Sequence, residues 1–277
     1  MQITSRDNPT VRRVRRLLVD GKARREEGMF AIEGARLCED AALSGVAIHT
    51  VLYTSRAAET YAAGLRRMLD ACEETRGEAY EIPDALAKAM ADTASPQGIF
   101  CVCGMLDNRD GFDTIGRKPP RRGYLALENM QDPANLGAVV RTAEALGLDG
   151  LLLSDGCCDV YNPKVLRASM GGVFRLPFLP AGDMAETVRI LRERGLECWA
   201  CVVDGDAIPL PEADLGPQSV CVIGNEGAGL RPETIAACTG CLTIPMAGRA
   251  ESLNASMAAG IVMWEMTRGG RAAAPRK

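Results

Sequence analysis

Three runs of residues in the second half of this chain combine glycine with acid, amide, hydroxyl and arginine side chains. The first to stand out is CVIGNEGAGL, residues 221–230. Its apolar run reads as a buried strand, and glycines 224, 227 and 229 read as a tight turn beyond it. A strand that ends in such a turn can bring backbone groups close to a ligand. The second run is ENMQDPANLGAVVRTAEALG, residues 128–147, and the third is IPMAGRAESLNASMAAGI, residues 244–261. Each again passes from a strand through small and polar residues into a helix. Asp132-Pro133 signals a helix start, and Ser252 stands at the N-cap or first turn of a final helix. The side chains these loops offer are Asn135, Arg141, Glu226, Ser252 and Asn254. An arginine stays protonated at any physiological pH, so it can steady a phosphate or a developing anion but cannot act as a base. The only histidine, His49, lies in the other half of the chain, which removes the usual general base from this set.

The order of the glycines excludes two familiar sites. Dinucleotide-binding folds use G-x-G-x-x-G after the first strand of the domain. Here the order is G-x-x-G-x-G, late in the domain, and the Gly-Lys-Ser/Thr of a phosphate-binding P-loop is missing. The cysteine pairs Cys198/Cys201 and Cys238/Cys241 match a zinc spacing only superficially. ECWACVV reads as a strand, so Cys198 and Cys201 point to opposite faces, and no metal site is expected.

The elements that must position these residues follow from periodicity. In the second half, strands are expected over 124–128, 150–154, 197–203, 219–223 and 241–244. Helices are expected over 135–146, 163–170, 185–194, 232–237 and 252–267. Near-continuous apolar strands spaced by helices predict a parallel sheet covered on both faces. Ligands of such sheets bind beyond the carboxyl ends of the strands, so the three loops are expected to converge there. The first half also alternates. Helices are expected over 9–19, 35–43 and 57–75, with strands over 30–33, 48–53 and 99–103. The stretch DNRDGFDTIGRKPPRR, residues 107–122, is rich in Gly, Pro and charge and reads as a linker. The domains are therefore expected at 1–106 and 123–277.

The chain has 277 residues, a net charge of −4 and few aromatic residues, the composition of a globular protein. It shows no apolar run long enough to span a membrane, and its N-terminus lacks a signal-peptide core, so a cytoplasmic protein is expected. The charge is uneven. Residues 1–25 carry eight Lys or Arg against Asp7 and Asp20. Arg12, Arg13, Arg15 and Arg16 are the centre of this cluster, which is either a solvated helix face or a polyanion contact.

Read together, the three runs resemble the motifs of the SpoU/TrmH family of RNA ribose 2′-O-methyltransferases, within the SPOUT superfamily. Asn135-Leu-Gly-Ala-Val-Val-Arg141 matches the first motif, Gly224-Asn-Glu226-Gly227-Ala-Gly229 the second, and Ile244-Pro-Met with Ser252-Leu253-Asn254 the third. The stretches SRDNPTVRRVRRL, FAIEGARLCEDAAL and TASPQGI are similar to the family's substrate-binding domain, so nearly the whole chain is covered. The resemblance implies an α/β protein with a C-terminal SPOUT trefoil-knot methyltransferase domain and a smaller N-terminal α/β substrate-binding domain. It implies S-adenosyl-L-methionine as cofactor, held by Gly224, Gly229, Ile244 and Leu253, and a homodimer with its site near the subunit interface. It makes Arg141 the catalytic arginine, supported by Asn135, Glu226, Ser252 and Asn254, with Glu226 fixing Arg141 or accepting bonds from the substrate. Arg12, Arg13, Arg15 and Arg16 would then contact RNA. Ribosomal RNA is the expected substrate. A transfer-RNA enzyme and a non-catalytic RNA-binding protein on the same fold are the alternatives.

Overall fold

The stripe Val11, Val14, Leu17 and Leu18 makes an amphipathic helix of α1 (Pro9–Val19), and all four are buried. Asn8 caps it by accepting from Thr10 N at 2.9 Å, and Pro9 occupies its first turn. The computed structural model describes residues 1–106, 115 and 120–268. Asp20 ends α1 and at once caps α2 (Gly21–Glu27), accepting from Lys22 N and Ala23 N. That second helix is too short and polar to carry a periodic signal. It stops at Gly28, whose left-handed backbone suits glycine.

The remainder of the first half runs β1 (Met29–Glu33), α3 (Ala35–Leu43), β2 (Ile48–Tyr53), α4 (Ser55–Thr60), α5 (Ala62–Glu74), β3 (Glu78–Glu81), α6 (Asp84–Met90) and β4 (Ile99–Gly104). The single helix expected over 57–75 is two helices, broken at Tyr61 where the backbone leaves the helical region. The strands form one mixed sheet, β1-β4-β2-β3. In it β4 is antiparallel to both neighbours, while β2 and β3 run parallel. β3 was not expected, because Glu-Ala-Tyr-Glu is half-exposed and lacks an apolar run.

The second half begins with β5 (Tyr124–Leu127), α7 (Pro133–Leu146) and β6 (Gly150–Ser154). Then α8 (Pro163–Ala168) interrupts, followed by β7 (Phe178–Gly182), α9 (Met184–Glu193), β8 (Glu197–Cys201), β9 (Ile208–Pro209), β10 (Ser219–Ile223), α10 (Pro232–Ala237), β11 (Gly240–Thr243) and α11 (Ala255–Arg268). Seven strands form one parallel sheet in the order β7-β6-β5-β10-β8-β11-β9. The wholly buried β10 sits between β5 and β8, with Val222 paired to both Ala126 and Ala200. One face packs Ala126, Leu152, Cys198, Ala200, Val220 and Val222 against Met184, Ala185, Val188 and Leu191 of α9. The other face carries α11, whose Ala258 and Val262 meet Cys201 and Ile223 around a cavity. Cys198 and Cys201 thus lie on opposite faces of β8.

The chain divides into two compact units, and the division does not follow sequence order alone. Residues Asp159–Arg175, which include α8, belong with Met1–Leu106. Phe30, fully buried in β1, packs against the tilted ring of Tyr161 with centroids 4.6 Å apart and stacks on Phe174 at 6.4 Å. Arg24, only 3 % exposed, pairs with Asp159 at 2.7 Å. The expected linker over 107–122 lies mostly outside the described residues. Its Ile115, however, is buried within the core of the second unit, and the backbone N–H groups of Arg121, Arg122 and Gly123 all donate to one Asp149 oxygen at 2.8–2.9 Å.

Candidate active site

Parallel pairing puts the carboxyl ends of β5, β10, β8 and β11 at one edge of the sheet, and the three polar loops leave from that edge. Residues far apart in sequence meet there. The Glu226 carboxylate accepts from Asp132 N at 3.1 Å and Asn135 Nδ2 at 3.2 Å through one oxygen. Its other oxygen accepts from Gln131 N at 3.3 Å and Asn225 Nδ2 at 3.4 Å. Asn254 Nδ2 then donates to Asn135 Oδ1 at 2.9 Å. A continuous chain, Glu226–Asn135–Asn254, therefore joins the three loops. Burial raises the affinity of Glu226 for a proton, but N–H bonds from its own backbone, from Asn135 and from Asp132 and Gln131 outweigh it. The net shift is below the ordinary value of 4.5. The group is a carboxylate at neutral pH, occupied by four donors, and serves as a tie between loops rather than as a proton acceptor.

The Gly224–Gly229 turn is closed by a two-way backbone bridge between Asn225 and Gly229, both bonds at 3.0 Å. A Cβ on Gly224 would sit 2.2 Å from the Gly229 carbonyl carbon, so no other residue fits. Gly229 has φ +69°, which also favours glycine. Asn225 is the pin of this turn. Its Oδ1 accepts from Gly227 N at 2.9 Å and Ala228 N at 3.0 Å, and its Nδ2 donates to Asn129 O at 2.8 Å.

Beside this network lies a cavity lined by apolar residues, among them Leu210, Ile223, Leu242, Ile244, Met246 and Leu253, together with the polar Thr243 and Ser252. Of the four residues expected at the cofactor, Ile244 and Leu253 line it. Gly224 and Gly229 do not, although Gly224 directly follows the lining residue Ile223. Ser252 borders the cavity and is no helix cap. The final helix starts at Ala255, and Asn254 caps it, its Oδ1 accepting from Ser256 N at 3.0 Å and Met257 N at 3.2 Å. Arg141 projects from α7 into solvent, with no hydrogen bond or ion pair among the described residues. It is not held by Glu226, whose four donors lie elsewhere.

The basic cluster of the first unit is split. Arg13 pairs with Glu27 at 2.7 Å, and Arg16 with Glu26 at 3.2 Å and Asp20 at 3.9 Å. Arg12 and Arg15 are exposed and have no such partner among the described residues; with Ala89, Met90 and Ala91 they border a shallow groove. Only tertiary contact with α2 shows which arginines are already neutralised.

Sequence reasoning passed over Asn225 and Glu128. The Glu128 side chain is 1 % exposed at the end of β5. One oxygen accepts from Arg231 Nε at 2.8 Å and Thr234 Oγ1 at 2.6 Å, and the other from Arg231 N at 2.9 Å. Arg231 Nη2 continues to Asp183 at 2.8 Å. The available signal was an acid closing a buried apolar strand, a place where a carboxylate needs partners.

A parallel α/β sheet with an apolar cavity and a bonded set of amide and acid side chains at the strand ends defines a cofactor-binding enzyme domain. Residues 123–264 match the model of the SpoU rRNA Methylase family, and residues 8–101 match that of the MRM3-like substrate binding domain. The chain belongs to the SpoU rRNA methylase family, with an N-terminal substrate-binding domain and a C-terminal α/β SpoU domain. It is 30 % identical over 265 residues to the 23S rRNA (guanosine(2553)-2′-O)-methyltransferase RlmP of Bacillus subtilis, covering 96 % of this chain and 98 % of that one. It is 31 % identical over 276 residues to the 23S rRNA (uridine(2479)-2′-O)-methyltransferase of Streptomyces viridochromogenes, covering 96 % and 92 %. The crystal structure of AdoMet-bound rRNA methyltransferase from Sinorhizobium meliloti superposes with a TM-score of 0.85 at 29 % identity, covering 97 % of this chain and 98 % of that one.

Proposed function

We propose that this protein methylates a ribose 2′-hydroxyl of ribosomal RNA with S-adenosyl-L-methionine, working in the cytoplasm as a homodimer. The observation that carries the reading is the Glu226–Asn135–Asn254 chain, which holds the three motif loops together beside an apolar cavity. The cavity fits the cofactor: Ile223, Leu242, Ile244 and Leu253 offer apolar walls to an adenine ring. When bound, S-adenosyl-L-methionine supplies a methyl group already activated by its positive sulfur, so the protein's share of catalysis is alignment. Ser252, at the cavity, and Asn254, bonded to Asn135, offer polar groups to the ribose, and Asn135 is oriented by Glu226. Arg141 has no competing partner among the described residues and can hold the phosphate beside the target ribose and stabilise the alkoxide as its proton leaves.

Two further features support parts of this reading. Arg12 and Arg15, exposed and with no acidic partner among the described residues, offer cationic groups to RNA phosphates. On α11, Met257, Ile261 and Trp264 form one exposed apolar face, with Met257 63 % and Trp264 59 % accessible. Such a face fits burial against a second copy. Sedimentation of Trp264→Glu, expected to be monomeric where the wild type is dimeric, tests that part.

The reaction is tested by Arg141→Ala. Methylation of ribosomal RNA should fall by at least 10²-fold while affinity for S-adenosylhomocysteine stays within about twofold, as measured by isothermal titration. A variant that keeps normal turnover removes Arg141 from the mechanism. Methyl groups appearing in transfer RNA instead would change the substrate and leave the chemistry standing.

A further inference from the structure

The loop that joins β10 to α10 is tied at both ends to β5. At its start, Glu128 N donates to Ile223 O at 2.8 Å. At its exit, the buried Glu128 carboxylate grips Arg231 through both Nε and the backbone N, and reaches Thr234 in the first turn of α10. Between these anchors the loop sends Glu226 back to residues 131–135, at the start of α7. The segment after β5 thus gives one carboxylate to the loop and receives another from it. Glu128 is held by three donors and Glu226 by four.

The Arg231 guanidinium is planar and bonds in a fork, so it fixes direction as well as distance. The Glu128 partner is out of water, where such bonds are stronger and less forgiving of misplacement. We infer that Glu128 and Arg231 are positioning residues for the methyl-transfer site, setting the pose of the Gly224–Gly229 turn and, through Glu226, that of Asn135. Neither touches the cavity that would hold the cofactor. The inference rests on the reading of that cavity as the S-adenosyl-L-methionine site.

The test uses the full-length protein and Glu128→Gln. This change keeps the shape of the side chain and leaves Arg231 paired with Asp183. Expected are a melting temperature within a few degrees of wild type, at least tenfold weaker binding of S-adenosylhomocysteine, and faster amide exchange confined to residues 224–231 and 131–135. Cofactor-product affinity and kcat/KM both within twofold of wild type would overturn the inference. So would exchange that quickens evenly across the β-sheet, since that marks a general loss of packing. If Glu128→Gln does not fold, Arg231→Lys asks the same question, keeping the charge but losing the fork, with the same expected and overturning results. Wild-type protein that fails to bind S-adenosylhomocysteine would instead refute the reading of the cavity itself, so the two failures are distinct.

Discussion

Asn254 performs two tasks with the two halves of one amide. Its oxygen caps α11, and its nitrogen bonds Asn135. The tasks can be separated. Asn254→Ala loses both, and should lower stability by about 1 kcal/mol through the lost cap. Asn254→Asp keeps an oxygen for the cap but presents an acceptor to an acceptor at Asn135. Its melting temperature should stay near that of wild type while methylation falls at least tenfold. Equal activity of the Asp variant and the wild type, measured on ribosomal RNA, would show that the Asn135 bond is not used. Asn225 and Glu128 make the same point: a polar side chain just beyond a strand is held by what its partners demand, and such partners are fixed by the fold.

Among the elements, α1 shows how a charge pattern can mislead until its neighbour is known. Its four arginines look equivalent along the sequence. In the folded unit α2 brings Glu26 and Glu27 against Arg16 and Arg13, whereas Arg12 and Arg15 face solvent. Exposed ion pairs of this kind stabilise little, but they do occupy the cations. Neutralising Arg12 and Arg15 together should therefore flatten the dependence of RNA affinity on salt by about two in the log–log slope. Neutralising Arg13 and Arg16 should change it less. A filter-binding titration over a range of salt concentrations checks both, and equal effects from the two pairs would mean the pairing is not kept in the complex. The stripe that buries α1 was plain in the sequence, as were five of the seven strands of the parallel sheet, β5, β6, β8, β10 and β11. The missed elements, α2, β3, α6, β7 and β9, are short, half-exposed or, in β7 and β9, contain proline, so they lack the window over which periodicity becomes a signal.

For the molecule as a whole, the notable fact is that the first unit is completed by a segment from beyond β6. Residues Asp159–Arg175 cover Phe30 with Tyr161 and Phe174, and supply the only carboxylate paired with buried Arg24 among the described residues. Removing one partner of a buried pair leaves a charge uncompensated, at a cost of about 3 kcal/mol or more. Asp159→Ala should therefore destabilise the protein by about that amount in chemical denaturation, although residue 159 lies more than fifty positions beyond the end of the expected N-terminal domain at 106. A loss under about 0.5 kcal/mol, the range of an ordinary surface change, would show that the segment is not integral to that unit.

What the sequence determined by itself was chemistry and local form. The residue types of the three motifs, the glycines of the Gly224 turn, the helix stripes and the buried strands are all properties of neighbours along the chain, and they sufficed to indicate an RNA ribose methyltransferase. What only the tertiary structure decided was partnership. Glu226 reaches Asp132 and Asn135, Asn254 reaches Asn135, and Arg231 reaches Glu128, across separations of 91 to 119 residues. The Glu226 and Arg231 bonds depend on β10 lying beside β5 in the sheet, and the Asn254 bond on α11 packing against α7. Strand order is set by how the apolar faces of the whole unit are buried together, and no local period records it.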